Sequence, residues 1–413
     1  MNKVLILVTL ALLSMIVVLP SAAVVTVTVD AADVNQDGIV NSLDIGLVAT
    51  FYGKHSKYFK TPTPTVTSTT TATATATSVP TPTATPSSLT RIPVGPAGSY
   101  FLLGANYPWL NYGNDFGGNN GVHSSTQYNA DFADMASKGV HVVRWFVLED
   151  GKTGIVYDAN GGPAGLSNNV LTDLDSAVAM AQSNHIYLDL VIVDFSLLNI
   201  GGHSDVINNS TKRDQLINNV IAPIISRYAN NPNILSWELM NEPEWGLSDI
   251  PQPAVNSALT PITQANFWDY GSRVSVLAHA AHQKVTVGSA ALKWAKVWTN
   301  SYAASHGLPA LNLDFYQTHY YPWMDCCSTD DQVLGKTTWS PLTQNALALG
   351  LDRPIVVGEI PDSDNSRNLV LINGYAGFWP WSYHWDKTGD KIKVDWPTYS
   401  LWEFTYSTLV RIP

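Results

Sequence analysis

Ile234-Leu-Ser-Trp-Glu-Leu-Met-Asn-Glu-Pro243 decides the fold. An apolar run of strand length ends on a carboxylate and a proline, where a buried strand must give way to a loop. The pattern returns in Pro354-Ile-Val-Val-Gly-Glu-Ile-Pro361, so that Glu242 and Glu359 stand at corresponding places, 117 positions apart. Working outward, further strand candidates are 100–107, 141–148, 186–195, 285–290, 313–320 and 375–383. Helix-like patterns fall between them, among them 126–138, 171–183, 212–228 and 264–282. Eight apolar strands interleaved with helices predict a (β/α)₈ barrel over 90–413. A doubly wound open sheet is the competitor, but no glycine-rich phosphate loop follows the first strand.

Composition narrows the chemistry. Only 13% of the 413 residues are charged, with 22 Lys+Arg against 33 Asp+Glu and a net charge of −11. No basic run exists to neutralise phosphates, which excludes a nucleic-acid binder. All 14 tryptophans lie at or beyond Trp109. They could stack on sugar rings or fill the core.

The segment before the barrel divides into three parts. Met1–Ala23 reads as a secretory signal: Lys3, an apolar stretch, then Ser21-Ala22-Ala23. An uncleaved anchor is the alternative, although a spanning helix wants ~20 apolar residues. Within 32–54, the run Asp33-Val-Asn-Gln-Asp-Gly-Ile-Val-Asn-Ser-Leu-Asp44 has the spacing of a calcium loop. Asp33, Asn35, Asp37, Asn41 and Asp44 would offer side-chain oxygens, Ile39 its carbonyl, and Gly38 the sharp turn. Residues 61–89, almost wholly Thr, Pro, Ala and Ser at their centre, form an extended linker. Adjacent Cys326 and Cys327 cannot staple distant parts of the fold; a vicinal disulfide, two thiols or a metal site are all open.

In a barrel the C-terminal strand ends surround one site. Glu242 closes the fourth strand, His319 and Tyr321 the sixth, and Glu359 the seventh. Arg144 lies on the second strand, Asn106 near the end of the first, and Trp379 or Trp381 on the eighth. Two carboxylates brought to one mouth are the equipment for cleaving a glycosidic bond. An arginine inside a strand is costly unless paired, which marks Arg144 as functional. His319 could instead be a satisfied core histidine and Tyr321 simple packing. Trp109, Trp245 and Trp323, in loops after strands one, four and six, could be sugar platforms or loop core.

Asn-Glu-Pro on strand four, His-x-Tyr on strand six and Gly-Glu on strand seven together resemble the clan A glycoside hydrolases, most of all family 5, which includes cellulases and β-mannanases. The resemblance covers the chain from about residue 90 to the end. It implies a double displacement with Glu359 as nucleophile and Glu242 as general acid, then base, and no catalytic metal or organic cofactor. Arg144 and Tyr321 would hold Glu359 ionised, and His319 would sit beside Glu242 and help set its proton. Asn241 would bind the sugar 2-hydroxyl, and Asn106 and Trp245 would line the substrate site. Trp381 is preferred over Trp379 as the floor of the cleavage subsite because Trp-Ser-Tyr resembles the family pattern; parity cannot separate them. The third strand lacks the histidine common in family 5, and His203 in the following loop could substitute. The segment 32–54 resembles one repeat of a dockerin, which implies Ca²⁺ and a cohesin-type partner, although dockerins carry two repeats. The expected protein is a monomeric, secreted β-glycanase acting on β-1,4-mannan or β-1,4-glucan, with Gly104-Ala-Asn-Tyr-Pro-Trp-Leu110 leaning toward mannan. The rival from another class is a barrel that binds polysaccharide without cutting it.

Overall fold

The computed structural model of the protein describes residues 16–18, 24–26, 88–118, 125–322 and 339–413. The calcium-loop positions Asp33, Asn35, Asp37, Ile39, Asn41 and Asp44, residues 61–87 of the linker, Trp323 and the Cys326–Cys327 pair lie outside the described residues, as does most of the signal segment. The chain divides into Met1–Pro86 and Ser87–Pro413. In the first unit, Ile16–Val18 pairs antiparallel with Val24–Thr26.

The second unit is the expected barrel. Its strands are β1 (Leu102–Asn106), β2 (Val142–Phe146), β3 (Tyr187–Val191), β4 (Ile234–Asn241), β5 (Lys284–Ser289), β6 (Tyr316–His319), β7 (Ile355–Ile360) and β8 (Gly377–Pro380). They pair in chain order, all parallel, and β8 closes on β1. Each coincides with a sequence candidate to within a few residues at its ends. Strand residues are almost wholly buried because a barrel covers one face with its own interior and the other with helices.

The helix Gln264–Ala280 begins where the Thr263 hydroxyl accepts the Asn266 N–H, and it buries Phe267, Trp268, Tyr270 and Val274 along one face. The region expected to be one helix from Lys212 is interrupted. Helix Ser210–Gln215 passes through a wide turn at Leu216–Ile221 before Ala222–Arg227. Pro223 explains the turn, since its ring crowds the preceding carbonyls and it has no N–H to donate.

The barrel interior has two layers. At the bottom, Leu102, Val142, Leu235, Phe315, Val356 and Trp379 form one apolar cluster. Ile92 and Val94, from a hairpin of Ile92–Val94 with Gly98–Tyr100, pack into it and close that end. Nearer the C-terminal ends the interior turns polar. Asn106, Arg144 and Asp189 are register partners across β1, β2 and β3 and are all fully buried.

Candidate active site

Arg144 organises the mouth of the barrel. A fully buried guanidinium must find acceptors for its five N–H groups, and here it does. Nε donates to Glu238 Oε2 at 2.8 Å and Nη2 to Glu238 Oε1 at 2.7 Å. Nη2 also donates to Asn241 Oδ1 (2.7 Å), and Nη1 to Asn106 Oδ1 (2.9 Å) and Glu359 Oε1 (2.7 Å). Burial works against the Glu238 charge, but Arg144 holds that carboxyl below the ordinary range. Burial and the neighbouring Glu238 push Asp189 well above it. Arg144 thus lies between the carboxyls of Glu238 and Glu359, and burial biases Asp189 behind it toward its protonated form.

The two strand-end glutamates converge. One carboxylate oxygen of Glu242, one of Glu359 and a ring nitrogen of His319 all lie within 4.8 Å of one another. Such a trio could ligate a cation, but the Arg144 guanidinium already supplies the positive charge beside Glu359. Glu359 receives two donors, Arg144 on Oε1 and the Tyr321 hydroxyl on Oε2 at 2.6 Å. Burial raises its pKa, and both donors oppose the rise. Glu242 has a different shell. His319 Nδ1 lies 2.8 Å from its Oε1, and the Trp245 indole donates to its Oε2 at 2.7 Å. Burial lifts Glu242 to about 7 and drops His319 to about 4, so the imidazole is neutral beside a carboxyl poised to gain or lose a proton. The Glu242 backbone is left-handed, φ 46° and ψ 49°, which costs about 1–3 kcal/mol and turns the chain sharply at the strand end.

Other sequence candidates take definite places. Asn241 spends its oxygen on Arg144 and gives one N–H to Asp194 Oδ2 at 2.7 Å. Asn106, expected to line the substrate site, is instead fully buried and spent within the protein. Its Nδ2 donates to the carbonyls of Gly358 (2.7 Å) and Trp379 (3.0 Å), so it fixes Arg144 and ties β1 to β7 and β8. Trp245, expected against substrate, is the donor to Glu242. Trp379 lies in the apolar floor with Nε1 donating to the Leu102 carbonyl at 3.1 Å. Trp381 lies at the mouth with Phe146, Val191 and Trp109, its Nε1 donating to Asp390 at 3.0 Å. His203 stacks on Tyr157 with ring centroids 3.3 Å apart, and the end of strand three is occupied by Asp194, which stands behind Asn241.

Sequence reasoning passed over Glu238, Gln317 and Glu244. Glu244 is buried, accepts from Ala290 N (3.1 Å) and Trp298 Nε1 (3.0 Å), and ties the loop after β4 to the end of β5. The signal existed: a charge or amide inside an apolar strand is as costly in Ile-Leu-Ser-Trp-Glu and Phe-Tyr-Gln-Thr-His as the arginine in Val-Val-Arg-Trp.

A parallel barrel with paired carboxylates at the C-terminal strand ends defines a glycoside hydrolase, and the comparisons agree. Residues 109–404 match Cellulase (glycosyl hydrolase family 5), and the chain belongs to that family. It is similar to a mannan endo-1,4-β-mannosidase of Mytilus edulis, 24% identical over 68% of this chain and 83% of that protein. A second such protein, from Cryptopygus antarcticus, is 23% identical over 69% and 80%. Among solved structures, the β-mannanase of the blue mussel Mytilus edulis superposes with a TM-score of 0.63 at 20% identity, covering 76% of this chain and 94% of that one.

Proposed function

We propose that the chain is a secreted, retaining β-1,4-mannanase that cleaves within its polymer. The observation that carries the mechanism is the approach of Glu242 and Glu359. With oxygens within 4.8 Å, no space remains for the water an inverting enzyme places between its carboxylates. Glu359, held anionic by Arg144 and Tyr321, attacks the anomeric carbon while Glu242 gives its proton to the departing glycosidic oxygen. In the second half, Glu242 takes a proton from water as that water displaces Glu359. Asn241 keeps a second N–H for the sugar 2-hydroxyl, and the aromatic group of Trp381 and Trp109 forms the floor for a pyranose ring. Mannan is the favoured substrate because the named relatives act on it.

Hydrolysis of β-mannan, cellulose, xylan and mixed-linkage glucan by wild type, Glu242→Ala and Glu359→Ala tests this reading. Wild type should cut mannan with β-configured first products, and each variant should lose about 10⁴-fold or more in kcat. Inverted products would sink the double displacement. A wild type that binds a polymer but never cuts it would favour a sugar-binding barrel.

Secretion rests on Met1–Ala23, and a tether to a partner on the Asp33–Asp44 loop and the linker. Ca²⁺ at that loop should permit capture by a cohesin, and EDTA should abolish capture without slowing hydrolysis of soluble polymer. Capture that ignores EDTA would remove the calcium role.

A further inference from the structure

The buried layer beneath Glu242 contains a hydrogen-bonded chain whose direction can be worked out donor by donor. It starts at Glu238, whose two oxygens receive three N–H groups: Arg144 Nε and Gln317 Nε2 on Oε2, and Arg144 Nη2 on Oε1. A carboxylate paired bidentate with arginine is ionised and only accepts. The contact from Gln317 at 2.8 Å must therefore come from the amide nitrogen, which turns the amide oxygen the other way. That oxygen meets His319 Nε2 at 3.3 Å. An amide oxygen only accepts, so Nε2 carries the hydrogen. In a neutral imidazole Nδ1 is then a lone pair. Nδ1 faces Glu242 Oε1 at 2.8 Å and Glu359 Oε1 at 3.5 Å. Glu359 Oε1 already accepts from Arg144 and has no proton to give. The remaining donor is Glu242.

We propose that Gln317, anchored by Glu238, sets the tautomer of His319 and thereby makes Glu242 the hydrogen-bond donor to Nδ1. Gln317 and Glu238 are positioning residues that act through the imidazole. The inference deepens the glycosidase reading and rests on it only for its catalytic consequence. A lone pair aimed at Glu242 stabilises the protonated acid and repels the carboxylate left after proton delivery. The repulsion favours return of a proton from water. The Trp245 N–H on the other oxygen pulls in the opposite direction, so the group stays exchangeable. Two further groups face this pair: the Tyr321 hydroxyl donates to Glu359, and the Asp390 carboxylate favours the protonated form of Glu242.

The surrounding strands make room for the chain. A Cβ on Gly358 of β7 would stand 1.8 Å from Gln317 Oε1, and one on Gly288 of β5 would stand 2.2 Å from Glu238 Oε1. Neither glycine has a positive φ, so conformational freedom is not the reason for it; space for the amide and the carboxylate is. Both glycines lie where an ordinary strand residue would put a side chain into the layer.

The test is ¹⁵N-histidine NMR of the full chain, with the His319 signal assigned by its loss in His319→Gln. Wild type at neutral pH should show His319 as the Nε2–H tautomer; an Nδ1–H tautomer would overturn the proposal and needs no variant to be seen. Gln317→Met removes the acceptor at similar volume. It should mix the tautomers, lower kcat/KM on polymer about tenfold with KM little changed, and shift the basic limb of the pH profile downward. An aryl glycoside whose leaving group needs little protonation should lose less. A folded variant with the wild-type tautomer and an unmoved basic limb would also overturn it. If wild type shows the Nε2–H tautomer but hydrolyses nothing, the hydrogen-bond chain stands and the glycosidase reading fails.

Discussion

Two tryptophans two positions apart, one on the last strand and one just past its end, mark the two regions of the barrel interior. Trp379 belongs to the apolar floor, fully buried among Leu102, Phe315 and Val356 and sealed by the hairpin residues Ile92 and Val94. Trp381 belongs to the mouth, against Phe146, Val191 and Trp109, with its indole N–H turned to Asp390. Below, shape and area do most of the stabilising, by apolar side chains packed on one another. Above, charged and amide side chains lie beside those rings, and the polar layer holds together because Arg144 meets five acceptors at once. The floor therefore serves stability and the upper layer serves chemistry. A half-satisfied version of the upper layer would be worse than an apolar one.

The sharpest way to break that division is to truncate both residues. Trp379→Ala should cost about 3–5 kcal/mol of stability, because the cavity it leaves lies where three strands and the hairpin meet. Its kcat per folded molecule should change little. Trp381→Ala should cost much less stability but lower kcat/KM on polymer by about tenfold or more, the loss of roughly 1–2 kcal/mol of ring stacking. Chemical denaturation and initial rates on the same preparations decide it. Equal losses of stability, or a catalytic defect confined to Trp379→Ala, would erase the contrast.

The same contrast explains what could be read from the sequence. The eight strands were legible because a barrel strand buried on both faces becomes a largely apolar run, and Ile355-Val-Val-Gly or Leu190-Val-Ile-Val stands out from any helix-period pattern. Glu242, Glu359, His319, Tyr321 and Arg144 were legible as a set because barrel topology brings strand ends together. Trp379 and Trp381 were not separable by periodicity, since depth along the barrel axis has no sequence signature once parity is shared. Asn106 looked like a substrate ligand because it ends a strand, yet its neighbours in register, Arg144 and then Asp189, place it inside the buried layer. Glu238 and Gln317 were missed because each sits between apolar neighbours and finds its partner on another strand. The gap left for Gln317 by Gly358, 41 positions away, appears only in three dimensions.

The mouth should also reveal itself as the region that stability depends on through pH. Burial raises both Glu242 and Glu244 to about 7, well above the ordinary carboxyl value of 4.5. Between those limits the folded state holds protons that the unfolded chain has released. A surplus of protons in the native state means stability falls as pH rises. The sign is opposite to that of a salt-bridged carboxylate, whose contribution is lost on acidification. Full stability is therefore present near pH 4–5 as far as these two groups are concerned, and it declines through pH 7. Glu242→Gln keeps the size of the side chain and an N–H or C=O for its neighbours but has no proton to lose. It should remove about 2–3 kcal/mol of that decline, so the variant gains on wild type between pH 5 and 8 and matches it more closely at pH 5. Urea unfolding at the two pH values reads the difference directly. A Trp379→Ala protein, altered only in the floor, should keep the wild-type pH slope; if Glu242→Gln keeps it as well, the carboxyl is not held protonated by its surroundings and the upper layer carries less strain than its burial implies.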